Sequence, residues 1–109
     1  MALKVSDLVK SMLEAAQASF AADWPKVQDY AKPELKKLAQ SLADIVKLVH
    51  GETVNRQQAK ALFQIHKNTT LMVLLTIEGL GVIAVENAIN AALNTVGETI
   101  NAAAGIKLL

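Results

Sequence analysis

The chain has 109 residues, with 11 basic and 10 acidic side chains, and 52% of its residues are hydrophobic although only 4% are aromatic. A chain of this length predicts a single domain, residues 1–109, and the near-neutral charge lacks the basic footprint of a nucleic-acid-binding protein. There is no cysteine, which excludes disulfides, thiolate metal sites and a cysteine nucleophile.

The N-terminal residues carry charge at Lys4 and Asp7 before any apolar stretch develops. We therefore expect no secretory signal and a cytoplasmic protein. From residue 5 onward apolar side chains recur at intervals of three and four, which predicts a first helix over residues 5–22. Trp24 followed by Pro25 marks the start of a second helix, because proline is tolerated in the first helical turn.

The second helix has the most regular pattern and is predicted over residues 24–50. Its apolar side chains recur at the spacing of packed helices, and they are Leu35, Leu38, Leu42, Ile45 and Val49. Pro33 lies inside this segment and removes a backbone donor, so we expect a kinked helix here and not a break.

A third helix is predicted over residues 54–78 and a fourth over residues 82–104, with a turn between them at Gly79 and Gly81. The alternative is a continuous helix in which these glycines let another backbone pass close. One side of the third helix is apolar and consists of Val54, Leu62, Ile65, Met72 and Leu75. The basic residues of this helix lie elsewhere, which predicts that its apolar side packs against another surface.

Residues 71–85 are apolar on nearly every side, and such a segment needs protein or lipid all around it. Residues 1–67 hold ten basic and seven acidic side chains, whereas residues 68–109 hold one and three. We expect residues 71–85 to lie in the interior, covered by the amphipathic first half and by a second copy of the chain. The alternative is a membrane-associated protein, single-pass or interfacial, that uses residues 71–85.

These elements together predict an all-α protein, an antiparallel four-helix bundle with a kinked second helix and a highly apolar C-terminal helical pair. Such a long, narrow bundle exposes much surface for its volume. We therefore predict a homodimer or a higher oligomer.

The fourth helix carries a polar row that differs from an ordinary solvated face, because only Glu86 and Glu98 are charged between residues 84 and 104. The row consists of Asn87, Asn90, Asn94 and Asn101, and the apolar residues beside it are Ile89, Leu93, Val96 and Ile100. Amide side chains can hydrogen-bond to one another between helices, so we predict that both sets form an oligomer or partner contact. A plain polar face and a ligand site are the alternatives.

Glu78 is the acid within the apolar run, and we single it out as a possible buried acid that could act as a ligand or a proton-transfer group. The alternative places it at a helix end, where it reaches water. Neither His50 nor His66 is preceded by the glutamate that the di-iron bundle motif requires. A metal- or small-ligand-binding bundle using Glu78, Glu86 or His66 nevertheless stays among the alternatives.

The sequence contains no nucleotide-binding, hydrolase or zinc-protease motif. We predict no catalytic residue, no metal site and no cofactor. The leading prediction is a non-catalytic helical bundle that self-associates and acts as a scaffold or partner-binding module. Its expected partner is a second copy or an unidentified protein, with a membrane less favoured and nucleic acid excluded.

Overall fold

The computed structural model describes residues 3–109. Over this part of the chain there are four α-helices and no strand, and the helices are α1 (Val5–Phe20), α2 (Trp24–His50), α3 (Arg56–Leu75) and α4 (Val82–Ala104). The predicted all-α bundle is confirmed. A single 3-10 turn, Ala21–Asp23, joins α1 to α2, so helical structure runs from residue 5 to residue 50. If α1 and α2 are counted as one bent stretch, the bundle has three helical stretches.

The chain folds back on itself at the 3-10 turn. A straight helix over residues 5–50 would extend about 70 Å, whereas the longest dimension of the molecule is 42 Å. Ala21 has a φ of 51° and ends α1, and α1 then packs along α2. The predicted antiparallel arrangement of these two helices follows from this reversal.

Pro33 lies inside α2, which continues through it from Trp24 to His50. Proline removes the amide that would bond the carbonyl of Asp29, four residues earlier. Both residues are exposed, so water can reach the backbone where this hydrogen bond is missing. The proline is therefore tolerated within the helix, as the sequence predicts.

The turn between α3 and α4 was predicted at Gly79 and Gly81, and α4 begins at Val82 directly after it. Gly79 has a φ of 88°, a backbone conformation that glycine adopts readily and other residues rarely do. α3 ends at Leu75, three residues before the predicted end, because the turn begins at Thr76. The apolar run is thereby divided between two helices.

The core is built mainly by α2 and α4, which each bury nine or more side chains. α1 adds Leu8, Met12, Ala16 and Phe20. α3 is different, because its buried residues are only Ala59, Thr70 and Leu74. Of the two helices predicted to form a highly apolar C-terminal pair, α4 is thus an interior helix, whereas α3 is a peripheral one.

The expectation that residues 71–85 all lie in the interior is wrong for the single chain. Only Leu74, Ile77 and Val85 are buried in this segment, while Met72 and Ile83 are exposed. The reason is the position of α3, which packs closely on α2 but approaches α4 much less. A helix with one close neighbour has only one side covered, and the apolar side chains on its other sides face solvent.

Candidate interaction surface

The side of α3 that points away from the bundle is a continuous, exposed strip. We call this strip the α3 face. Its residues recur at helical spacing and are all exposed, and they are Ala61, Ile65, Asn68, Thr69, Met72 and Thr76. Ile65 and Met72 are seven residues apart, two turns along the same side of the helix, and their exposed fractions are 59% and 68%. The side that contains Ile65 and Met72 was predicted to pack against another surface, yet within this chain nothing described covers it.

The α3 face carries no charged side chain. Its two threonine hydroxyls are already used, because Thr69 Oγ1 donates to the carbonyl of Ile65 at 2.9 Å and Thr76 Oγ1 donates to that of Val73 at 2.6 Å. Each hydroxyl is thereby satisfied within its own helix. The face consequently offers solvent apolar groups and one amide, which is unusual for an exposed helix.

Three further large apolar side chains are exposed on the neighbouring helices α2 and α4. Val82 and Ile83, in the first turn of α4, are 52% and 74% exposed, and Tyr30 on α2 is 54% exposed. With Ile65 and Met72 they make up the exposed large hydrophobic residues over residues 3–109. Ile83 lies on the side of α4 that also carries Glu86 and Asn90, since these positions follow at steps of three and four, and both of them line the groove beside α3.

Tyr30 belongs to the edge of α2 that adjoins α3. It shares a helical side with residues 34, 37 and 41, since these positions follow at steps of four, three and four. Glu34 and Ser41 line a hollow of about 220 Å³ together with Thr69 and Thr70 of α3. The side of α2 that carries Tyr30 is therefore the side that adjoins α3.

A groove separates α3 from α4, and it contains two hollows of about 240 and 320 Å³. Asn90 and Lys67 line both hollows, and Asn94 lines the larger one. On the α3 side, Gln64 Nε2 donates to Asn68 Oδ1 at 3.0 Å. The α3–α4 groove thus combines amide side chains with apolar ones and with the charged Lys67, Glu86 and Glu98.

The structure separates the two sets of residues that were predicted to form a contact on α4. The apolar set, Ile89, Leu93, Val96 and Ile100, is buried in the core of the chain itself. Asn87, Asn90 and Asn94 are exposed. The Oδ1 of Asn101 accepts hydrogen bonds from the backbone of Leu108 and Leu109, so its amide is used within the chain. The asparagines at 87, 90 and 94 remain open to a partner.

Glu78 is not a buried acid. It is exposed in the turn between α3 and α4, which is the alternative position that the sequence allows for it. The exposure of Glu78 has a local cause, because α3 ends before this residue and the turn carries its side chain away from the core. Glu86 is likewise exposed and lies at the rim of the α3–α4 groove.

Both histidines are bonded to neighbouring helices. His50 on α2 donates its Nε2 proton to the carbonyl of Ala103 on α4, since a carbonyl can only accept. His66 Nδ1 lies 3.2 Å from the hydroxyl of Ser41 on α2. Over residues 3–109 no three His, Asp or Glu side chains gather closely enough to hold a metal ion.

The predicted single-pass segment is divided, because α3 ends at Leu75 and α4 begins at Val82. Among the described residues, no helix combines the length and the apolar composition needed to cross a bilayer. The exposed large apolar side chains lie on three different helices, α2, α3 and α4.

The chain matches no protein-family model, no curated protein and no solved structure. Its fold and surface define it as a small all-α bundle with one uncharged helix face open to solvent.

The sequence contains a signal for this face that the periodicity of apolar residues does not reveal. Between Lys60 and Glu78 only His66 and Lys67 can carry charge, so charge is missing at every position of the outer side.

Proposed function

We propose that this protein is a non-catalytic helical bundle that self-associates and serves as a protein-interaction module. The observation that carries the proposal is the α3 face, which is exposed, uncharged and centred on Ile65 and Met72. Interface centres are depleted in charged residues and favour methionine and aromatic side chains. The α3 face with Tyr30 beside it has this composition.

The exposed asparagines contribute to the same region. Asn90 and Asn94 lie in the α3–α4 groove beside the α3 face, where their amides can donate to and accept from a partner. A polar rim next to an apolar centre is the usual anatomy of a protein interface. This arrangement keeps the predicted asparagine contact but moves its apolar part from α4 to α3.

Sedimentation equilibrium of the detergent-free protein tests the proposal. We expect reversible self-association, and Ile65→Asp should weaken it by at least about tenfold, because a charge replaces apolar surface that the contact would bury. Gln17→Asp is the matched control, since it adds the same charge to an exposed position of α1, the helix that makes no packing contact with α3 among residues 3–109.

A monomer at all concentrations would contradict self-association. Equal behaviour of Ile65→Asp and Gln17→Asp would contradict the α3 face as the contact surface. Circular dichroism of both variants checks that the fold is intact. Co-sedimentation with neutral and anionic lipid vesicles is the companion measurement. A monomer that binds vesicles through Ile65 and Met72 would instead support the interfacial membrane alternative.

A further inference from the structure

The four helices contribute unequally to the packing of the bundle. α1, α2 and α4 pack on one another in all three pairs, and the contact of α1 with α4 is the most extensive in the molecule. α3 packs on α2 and to a smaller extent on α4, and it makes no packing contact with α1 among residues 3–109. The bundle therefore consists of a core of three helices, α1, α2 and α4, with α3 attached to its outside.

α3 is also the helix with the fewest buried side chains. Leu74 is the one large apolar residue that it buries, since the other two buried residues are Ala59 and Thr70. Its other large apolar side chains that pack against the core are only half-buried, and they are Leu62, Phe63, Leu71 and Leu75. α1 is shorter and yet buries four residues, three of them large and apolar. The burial of apolar surface therefore stabilises α3 less than it stabilises the other helices.

Few polar contacts connect α3 to the other helices. Over residues 3–109, the contact between the Ser41 hydroxyl and His66 Nδ1 at 3.2 Å is the one side-chain hydrogen bond between α3 and another helix. The one salt bridge in this part of the chain lies within α2. The hydroxyls of Thr69 and Thr70 donate to carbonyls within α3 itself. α3 is thus held to the bundle mainly by its apolar contacts.

We propose that α3 opens as one cooperative unit while α1, α2 and α4 stay folded. Segments with few buried apolar contacts are the ones that open below the free energy of global unfolding. Once separated from α2, α3 melts, because most helical stability in proteins comes from the packing of an apolar face. Opening uncovers core side chains that line hollows together with α3 residues, and they are Leu38, Ile89 and Leu93. α3 is therefore a strap over an apolar part of the core.

Native-state hydrogen exchange tests the opening, followed by NMR at increasing urea concentrations below the unfolding transition. The protein is kept at a concentration at which it is monomeric, so the result does not depend on the proposed self-association. Relative to their intrinsic rates, the most protected amides of α3 should exchange at least about tenfold faster than those of α2 and α4. They should also share one protection factor and one urea dependence, because α3 opens as a unit.

Two matched glycine substitutions separate this opening from global unfolding. Ala16 on α1 and Ala59 on α3 are 1% and 0% exposed, and glycine weakens the helix at either position. Ala16→Gly should speed exchange of the most protected α2 and α4 amides about fivefold and leave the α3 amides unchanged, because α1 stays folded when α3 opens. Ala59→Gly should speed exchange about fivefold in all three helices, since α3 is melted both in the local opening and in global unfolding.

Equal protection and equal urea dependence in α2, α3 and α4 would overturn the inference, because α3 would then exchange only through global unfolding. An Ala16→Gly variant that speeds α3 exchange as much as α2 and α4 exchange would overturn it as well. Unrelated protection factors along α3 would show residue-by-residue fraying and not a cooperative unit. None of these results bears on the proposed function, which sedimentation decides separately.

Discussion

Asn101 holds Leu108 in place at the C-terminal end of α4: the side-chain Oδ1 of Asn101 accepts a hydrogen bond from the backbone N–H of Leu108 at 2.8 Å. The same oxygen accepts from the N–H of Leu109 at 2.9 Å. Gly105, with a φ of 72°, reverses the chain between these residues. Leu108 is consequently returned to the core, where its side chain is buried.

Asn101→Ala should therefore destabilise the protein by about 1–3 kcal/mol, because it removes the acceptor of two backbone donors at once. Urea unfolding followed by circular dichroism measures the change. Asn94→Ala is the matched control, since Asn94 belongs to the same asparagine row but is exposed. A change for Asn101→Ala no larger than that for Asn94→Ala would mean that the C-terminal segment does not depend on this amide.

The start of α3 should depend on Asn55 and not on Thr53, although both are suited to capping a helix. Asn55 Oδ1 accepts from the N–H of Gln58, and Gln58 Oε1 accepts from the N–H of Asn55, both at 2.8 Å. This is a reciprocal capping box. We expect Asn55→Ala to lower the unfolding free energy by about 1 kcal/mol and Thr53→Ala to change it by under about 0.5. Equal losses at both positions would rule out the cap as the cause.

The two glycines of the α3–α4 turn should respond differently to alanine. Gly79 has a φ of 88° and a Cβ there would approach Lys26 Nζ to 2.9 Å, whereas a Cβ at Gly81 would meet no atom within 4 Å. Gly79→Ala should lower the free energy of unfolding by about 1–2 kcal/mol through backbone strain. Gly81→Ala should change it by under about 0.5 kcal/mol, because Gly81 is the N-cap of α4 and the poorer capping by alanine offsets the gain from a less flexible unfolded chain. Thermal unfolding measures both.

The background variant Lys26→Ala separates the two possible causes of the Gly79→Ala effect. The amine of Lys26 is the end of a flexible side chain and can move aside. The loss of stability caused by Gly79→Ala should therefore persist in the Lys26→Ala background. If the loss disappears there, its cause is the clash between the new Cβ and the Lys26 amine and not backbone strain.

Met12 and Met72 offer a comparison of one side chain in two environments. Met12 is fully buried at 0% exposure, whereas Met72 on the α3 face is 68% exposed. Met12→Ala should lower the stability by about 2–5 kcal/mol, because it leaves a cavity in the core. Met72→Ala should change monomer stability by under about 0.5 kcal/mol. Urea unfolding at a protein concentration where the chain is monomeric provides both values.

Under the proposed function Met72→Ala should weaken self-association while it leaves the folded chain unchanged. A loss of monomer stability comparable to that of Met12→Ala would instead place Met72 inside the core. The two substitutions thereby distinguish a methionine in the core from a methionine on a surface that a partner would cover.

The helical segments themselves were predictable, because their signals are local in the chain. Apolar spacing marked all four helices, Trp24 and Pro25 marked the start of α2, and the glycines at 79 and 81 marked the turn before α4. Pro33 was correctly kept inside a helix. Such features depend on backbone conformation and on neighbours three or four residues away.

Which side of α3 faces the core was decided only by the tertiary structure. Leu74 is buried and Met72, two residues earlier, is exposed, although both are apolar and lie in the same helix. Periodicity selects a buried side only where apolar and polar sides alternate, and residues 71–75 are apolar all round. The position of α2 determines which side is buried, because α2 covers the side of α3 that contains Thr70 and Leu74. The opposite side, with Ile65 and Met72, is thereby left as the surface through which we propose that two copies meet.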